Sequence, residues 1–244
     1  MAKVLVTGSA GAIGRPVCRE LARRGHQVRG LDRARTPGVS DHVVTDIADR
    51  ERVRAAVLGM DAVVHLAAEP NDADFSVLVG PNVVGLFNVM DGAREAGVGR
   101  VVLASSVQVL GRRGAGAGLA RVDEAHPGNH YALTKLWAEE MGEMYARRFG
   151  MSVIAVRIAW MVRNPVEARH MLENPRPSIV LSAHDAGRFF ALAVEAKDME
   201  FAVLYAASIG GEERFDMEPA KRLIGYQAQD RWPEGLDFEL PEVE

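Results

Sequence analysis

Thr7-Gly8-Ser9-Ala10-Gly11-Ala12-Ile13-Gly14 stands between a short apolar run, Lys3–Thr7, and an amphipathic stretch, Ile13–Arg24. The first reads as a buried strand and the second as a helix. Glycines at this spacing serve three needs: a tight turn, close approach of a pyrophosphate to the backbone, and packing of the helix on the sheet. The helix start adds unpaired N–H groups and the positive end of a dipole. The turn in this setting predicts a dinucleotide-binding α/β domain, with Gly8, Ala10, Gly11, Ala12, Ile13 and Gly14 against the cofactor.

About twenty residues on, Asp32 ends a second strand read at Gln27–Leu31. A carboxylate there accepts from the ribose hydroxyls and repels a 2′-phosphate, which selects NAD over NADP. Arg33 and Arg35 follow and can attract phosphate, so the preference is not absolute. Asp46-Ile47, after a third strand at His42–Thr45, is placed to cap and pack the adenine.

The alternation continues along the chain. Helices are expected over Asp49–Leu58, Asn82–Ala96, Tyr131–Phe149 and Asp185–Ala196, and strands over Ala62–Ala67, Arg100–Ala104, Val153–Ile158 and Ala202–Ala206. Apolar strands alternating with helices imply a parallel sheet covered on both sides. The expected fold is a Rossmann-type doubly wound parallel sheet with helices on both faces and a small C-terminal substrate-binding cap. Residues 1–244 are expected to form a single NAD-binding domain, with small substrate-binding elements at about 160–182 and 208–244. Arg112–Ala120 is Gly/Ala-rich and reads as a loop, and Asn164–Pro177, with three prolines, as a lid or substrate wall.

A net charge of −4 argues against a general nucleic-acid binder, which needs a basic face. The single cysteine, Cys18, excludes an intrachain disulfide and reads as a small buried residue. The histidines lack metal-ligand spacing, so no metal site is expected, and His65 reads as a packed neutral group. No signal-like leader is legible and no apolar run is expected to span a bilayer, so a soluble, cytoplasmic protein is the expectation.

Tyr131-Ala132-Leu133-Thr134-Lys135 opens the long helix. Residues four apart share a face, so a phenol and an ammonium project together, and the cation is expected to lower the tyrosine pKa. Ser106 lies just past the fifth strand, at the carboxyl edge where parallel sheets bind ligands. Its hydroxyl can hold a substrate oxygen against the tyrosine. Tyr131, Lys135 and Ser106 are therefore the candidate catalytic residues.

With His65-Leu66-Ala67-Ala68, Asn82 and Ser105-Ser106 added, the pattern resembles the extended short-chain dehydrogenase/reductase superfamily, in its NAD-dependent epimerase/dehydratase group. The resemblance implies that Tyr131 is the general acid/base, that Lys135 binds the nicotinamide ribose, and that Ser106 orients the substrate. It implies that Asn82 braces the helix near the site and that Leu66, Ala67, Ala68, Ala104 and Ile158 line the cofactor. It also implies a homodimer through a four-helix bundle, or a higher homo-oligomer. Val156-Arg157-Ile158, Leu181-Ser182 with Asp185, and Tyr205-Ala206-Ala207-Ser208 are most similar to uronate dehydrogenases, which oxidise the anomeric hydroxyl of a hexuronic acid. By that likeness Arg169 grips the substrate carboxylate, a task suited to a bidentate guanidinium.

Three positions depart from the family pattern: Pro70, Val107 and Trp160 stand where it carries polar sugar contacts. They would leave ring hydroxyls poorly paired, at roughly 1–3 kcal/mol for each buried unpaired group. The expected activity is NAD-dependent oxidation of a sugar acid or related alcohol. Two other readings are a nucleotide-sugar epimerase or dehydratase, which usually needs a larger C-terminal region, and a cofactor-sensing protein on the same fold.

Overall fold

The computed structural model describes residues 1–112 and 118–240, so the centre of the expected Arg112–Ala120 loop lies outside the described residues. Seven parallel strands form one sheet: β1 (Lys3–Thr7), β2 (Gln27–Asp32), β3 (Asp41–Val44), β4 (Ala62–His65), β5 (Arg100–Ser106), β6 (Ser152–Ile158) and β7 (Phe201–Ala206). Their order is β3-β2-β1-β4-β5-β6-β7. The chain leaves β1 in one direction for β2 and β3, then returns to place β4 on its other side, with Thr7 opposite His65. Connections that diverge at this point leave a crevice at the carboxyl ends of β1 and β4.

Among the described residues the longer helices are α1 (Gly14–Arg23), α2 (Arg50–Val57), α3 (Phe75–Glu95), α4 (His130–Phe149), α5 (Pro165–Glu173), α6 (Ala183–Glu195) and α7 (Glu218–Ile224). Strand side chains alternate between two cores. Val4, Val6, Val102 and Val156 join Val17 and Leu21 of α1 and Phe189 and Phe190 of α6. Leu5, Val63, Val101 and Leu103 join Val53 of α2, Val89 and Met90 of α3, and Met141 of α4. Cys18 packs in the first core as expected, and burial pushes its thiol up to about 12.

Two expectations need correction. The helix read at Asn82–Ala96 begins at Phe75, because Gly80-Pro81 falls in a π-helical stretch, Val79–Gly85. There the regular hydrogen-bond ladder is already widened, so a proline does not end the helix. This longer α3 is also apolar and long enough, by length and composition, to cross a membrane, contrary to the expectation that no run would be; half of its apolar window is buried inside the protein. Its Asn88 donates to the carbonyls of Ile47 and Ala48, so its polar side chains are spent on the fold. The proline-bearing Asn164–Pro177 stretch, expected as a lid or substrate wall, contains a helix. Asn164 Oδ1 accepts from the Glu167 amide at 2.9 Å, and Pro165 occupies the first turn, where a missing N–H costs nothing.

A satellite core forms beyond β6. Val162, Ala168, Met171 and Val180 pack with Trp160, Trp232, Leu236 and Phe238. Buried Asp185 then ties the C-terminal segment down, accepting from Ser208 Oγ at 2.8 Å and from the amides of Gln229 and Asp230.

Truncating Phe189, which is wholly buried between α6 and the sheet, tests the first core. Phe189→Ala is expected to cost roughly 3–5 kcal/mol, read from the urea midpoint. A loss of only a few tenths would show that this face is not close-packed.

Candidate active site

The glycine turn is shaped by backbone contact. Gly8 has φ +69°, and a Cβ there would stand 2.7 Å from the Ala67 amide nitrogen. A Cβ on Gly14 would stand 2.1 Å from the Gly8 carbonyl oxygen. Both positions exclude any larger residue. No side chain caps the start of α1 and no acidic residue occupies its first turn; the Arg15 and Val17 amides bond the Gly11 and Ile13 carbonyls and Pro16 has no N–H, so the positive end of the helix dipole is what this start offers an anion. Thr7 Oγ1 accepts from the Ala67 amide at 3.3 Å and hydrogen-bonds His65 Nδ1 at 2.8 Å, joining the ends of β1 and β4. Burial, with the charge of Lys135, pushes His65 down to about 3, so it is neutral.

Above this turn lies a cleft of about 500 Å³. Its wall comprises Gly8, residues 10–14, 31–34, 45–47 and 66–70, with Val77, Pro81 and Arg163. Asp32 sits at its β2 edge, where its two carboxylate oxygens accept from the amides of Ala10 and Ala34, each at 3.1 Å. Each oxygen keeps a lone pair for a sugar hydroxyl. Arg33, Asp46 and Ile47 line the same end, and Asp46 is held by the Ala48 amide at 2.8 Å. The long narrow turn, the uncapped helix and the carboxylate at the β2 tip fit a nicotinamide dinucleotide lacking a 2′-phosphate.

Ser106, Tyr131 and Lys135 gather at the carboxyl end of β5. Ser106 is the last residue of that strand; its hydroxyl accepts from the Gln108 amide at 3.2 Å and stands close enough to the Tyr131 phenol to favour its anion. Asn129 starts α4, accepting from the Ala132 amide at 2.7 Å and donating to Gln108 Oε1 at 3.2 Å. Lys135 is buried, donates to the Ala104 carbonyl at 3.1 Å, and lies 5.5 Å from the centre of the Tyr131 ring. Burial pushes Lys135 down to about 8.

The expected lowering of Tyr131 by its ammonium neighbour is not what dominates. Burial raises the phenol above its ordinary value; the Ser106 hydrogen bond and the charge of Arg163 oppose that, and Glu69 reinforces it. A phenol withdrawn from water loses more solvation of its anion than a cation under the ring restores.

Asn82 bridges the two walls. Its Oδ1 accepts from the Glu69 amide at 2.8 Å, while Nδ2 donates to the Glu69 carbonyl and, at 3.0 Å, to Thr134 on α4. The remaining expected residues are dispersed. Pro70, Leu66, Ala67 and Ala68 line the cleft. Ala104 and Ile158 are buried at the ends of β5 and β6. Val107 opens a tight turn after β5, Trp160 packs in the satellite core, and Arg169 is exposed on α5 away from the cleft wall. Sequence reasoning missed Glu69 and Arg163, whose charges act on Tyr131 with opposite sign. Arg163 pairs with Glu167 at 2.6 Å and reaches Asn71 Oδ1 at 3.2 Å. Neither sits in a motif; Glu69 merely follows the His65–Ala68 stretch, and no local pattern marks Arg163.

A crevice at the strand reversal, a glycine turn below it and a Tyr-x-x-x-Lys helix beside it define an NAD-binding protein of the extended short-chain dehydrogenase/reductase class. The chain belongs to the NAD dependent epimerase/dehydratase family, whose model matches residues 4–164. It is 31% identical over 210 residues to a uronate dehydrogenase of Pseudomonas syringae pv. tomato, covering 84% of this chain and 74% of that protein. It is 29% identical to an L-arabinose 1-dehydrogenase (NAD(P)(+)) of Haloferax volcanii, covering 94% of this chain and 97% of that one. Among solved structures, a uronate dehydrogenase variant from Agrobacterium tumefaciens complexed with NAD is similar with TM-score 0.81 and 27% identity, covering 93% of this chain and 84% of the other.

Two measurements check this geometry. Asp32→Ala is expected to narrow the preference for NAD over NADP by about tenfold or more, or ~1.4 kcal/mol, in paired binding titrations; an unchanged ratio would remove Asp32 from the ribose end. His65 predicts a pH dependence of stability. Its folded pKa of about 3 lies below the ordinary 6.5, so its contribution is full above pH 6.5 and is lost as pH falls toward 3. The unfolding midpoint of the unmodified protein should fall across that window more steeply than that of His65→Gln.

Proposed function

We propose that this chain is an NAD-dependent dehydrogenase that oxidises a secondary or anomeric hydroxyl of a sugar acid or related alcohol, with Tyr131 as its proton acceptor. The observation that carries this reading is the buried Tyr131 phenol, set beside Ser106 at the carboxyl edge of the sheet with the Lys135 ammonium 5.5 Å from its ring centre. NAD held in the cleft supplies the hydride acceptor. Ser106 holds the substrate oxygen beside the phenol, and Tyr131 removes its proton. Lys135, fixed to the Ala104 carbonyl, keeps a positive charge beneath the ring and serves the ribose. Burial excludes water from the phenol, so the pair acts in a medium where charge counts for more than in bulk solvent.

In this reading Pro70, Val107 and Trp160 make the substrate end less polar than a typical sugar site, and Arg169 must reach a substrate carboxylate from α5. The segments at about 160–182 and 208–244 are the substrate-binding elements of a single domain. A cytoplasmic homodimer belongs to the same reading. Val84 and Phe87 on α3 and Leu133 and Trp137 on α4 expose much of their apolar surface, as a helix-pair interface requires. A monomeric mass in solution would reject that assembly.

Tyr131→Phe is expected to lower kcat roughly 10²–10⁴-fold while leaving NAD binding intact. The assay is NADH formation across a panel of uronic acids, aldoses and small secondary alcohols. Equal turnover by the phenylalanine variant would sink the assignment of the proton acceptor.

A further inference from the structure

Beneath the Ser106–Tyr131 pair lies a buried polar cluster that the proposed mechanism does not use. Glu139 stands four residues beyond Lys135 and eight beyond Tyr131, on the same face of α4. Only 4% of Glu139 and 1% of Arg157 are exposed. The two form a bidentate pair, Nε to Oε1 and Nη2 to Oε2, both at 2.9 Å. Ser105 Oγ donates to Glu139 Oε1 at 2.5 Å. Arg157 Nη1 donates to the Glu124 carbonyl at 3.0 Å and to Tyr205 Oη at 2.9 Å, and Tyr205 in turn donates to the Arg121 carbonyl.

The consequence is a stitched seam between β5 and α4. The last three residues of β5 each face one turn of the helix: the Ala104 carbonyl takes Lys135, Ser105 takes Glu139, and the Ser106 hydroxyl stands beside the Tyr131 phenol. The same guanidinium fastens the 121–124 segment, which lies before the start of α4. A buried carboxylate and guanidinium cost several kcal/mol each to desolvate, and apolar residues of like volume would pack this space at least as stably. The pair is therefore poorly explained by stability alone.

We propose that Glu139, clamped by Arg157, is a positioning residue for proton transfer: by gripping the Ser105 hydroxyl it fixes the strand end from which Ser106 reaches Tyr131. This rests on Tyr131 being the proton acceptor. The groups facing the phenol are Ser106 from β5, Arg163 beyond β6, Glu69 beyond β4 and Lys135 from its own helix. Of these, Ser106 lowers the phenol's pKa by hydrogen bonding its anion, so releasing Ser106 moves the titration upward.

The test uses the full chain with NAD and compares Ser105→Ala, Ser105→Thr and Glu139→Gln. Ser105→Ala and Glu139→Gln are expected to lower kcat roughly ten- to hundredfold, as sub-ångström misplacement does, with NAD affinity unchanged. Both should move the alkaline-going limb of the kcat profile to higher pH, and Ser105→Thr, which keeps the hydroxyl, should restore both quantities. An unmoved limb, or a kcat that falls only as the folded fraction falls, would overturn the proposal. The ultraviolet phenolate titration of Tyr131, isolated by subtracting each variant's Tyr131→Phe counterpart, reads the same shift in protein that turns nothing over. Absent turnover in the unmodified protein would count against the dehydrogenase reading, and the titration alone would then decide the positioning role. Should Glu139→Gln fail to fold, the alanine and threonine variants at Ser105 decide it.

Discussion

Backbone meets backbone where β1 gives way to its turn and β4 runs out beside it. The Gly8 position faces the Ala67 amide at a distance no Cβ tolerates, and Thr7 fastens that amide through its hydroxyl. Everything that defines the cleft follows from this contact. It brings the open end of α1 over the crevice, sets residues 66–70 as the opposite wall, and leaves Asp32 to close the ribose end. Steric exclusion rather than attraction sets the shape, so the site is preformed by the fold.

Around that contact the protein buries several ionisable groups, and each is reconciled with low-dielectric surroundings differently. His65 stays neutral. Lys135 keeps one carbonyl partner and a lowered pKa. Glu139 and Arg157 neutralise each other. Tyr131 remains a phenol pushed away from ionisation by burial, which the Ser106 hydroxyl and the charge of Arg163 oppose. These groups lie at the ends of β4 and β6 and on α4, so the chemistry sits on rigid elements rather than loops.

The comparisons and the geometry agree on class while differing in what they say of substrate. The wall near Tyr131 carries Glu69, Pro70 and an Arg163 already paired with Glu167, whereas Arg169 stands exposed on α5. Relatives named for a sugar acid and for a neutral sugar share this fold.

The sequence alone determined the alternating parallel sheet, the glycine turn, the Asp32 edge and the Tyr131–Lys135 spacing. These are local patterns whose periodicity or composition states their own geometry: a strand, a turn, one helix face. It did not determine that α3 runs through Gly80-Pro81, that burial outweighs Lys135 in setting the phenol, or that Glu69 and Arg163 converge on it. Nor did it reveal that Ser105, Glu139 and Arg157 form one buried cluster. Each of those depends on groups far apart in the chain being brought together and dried, and desolvation is a property of the packed whole that no window of sequence contains.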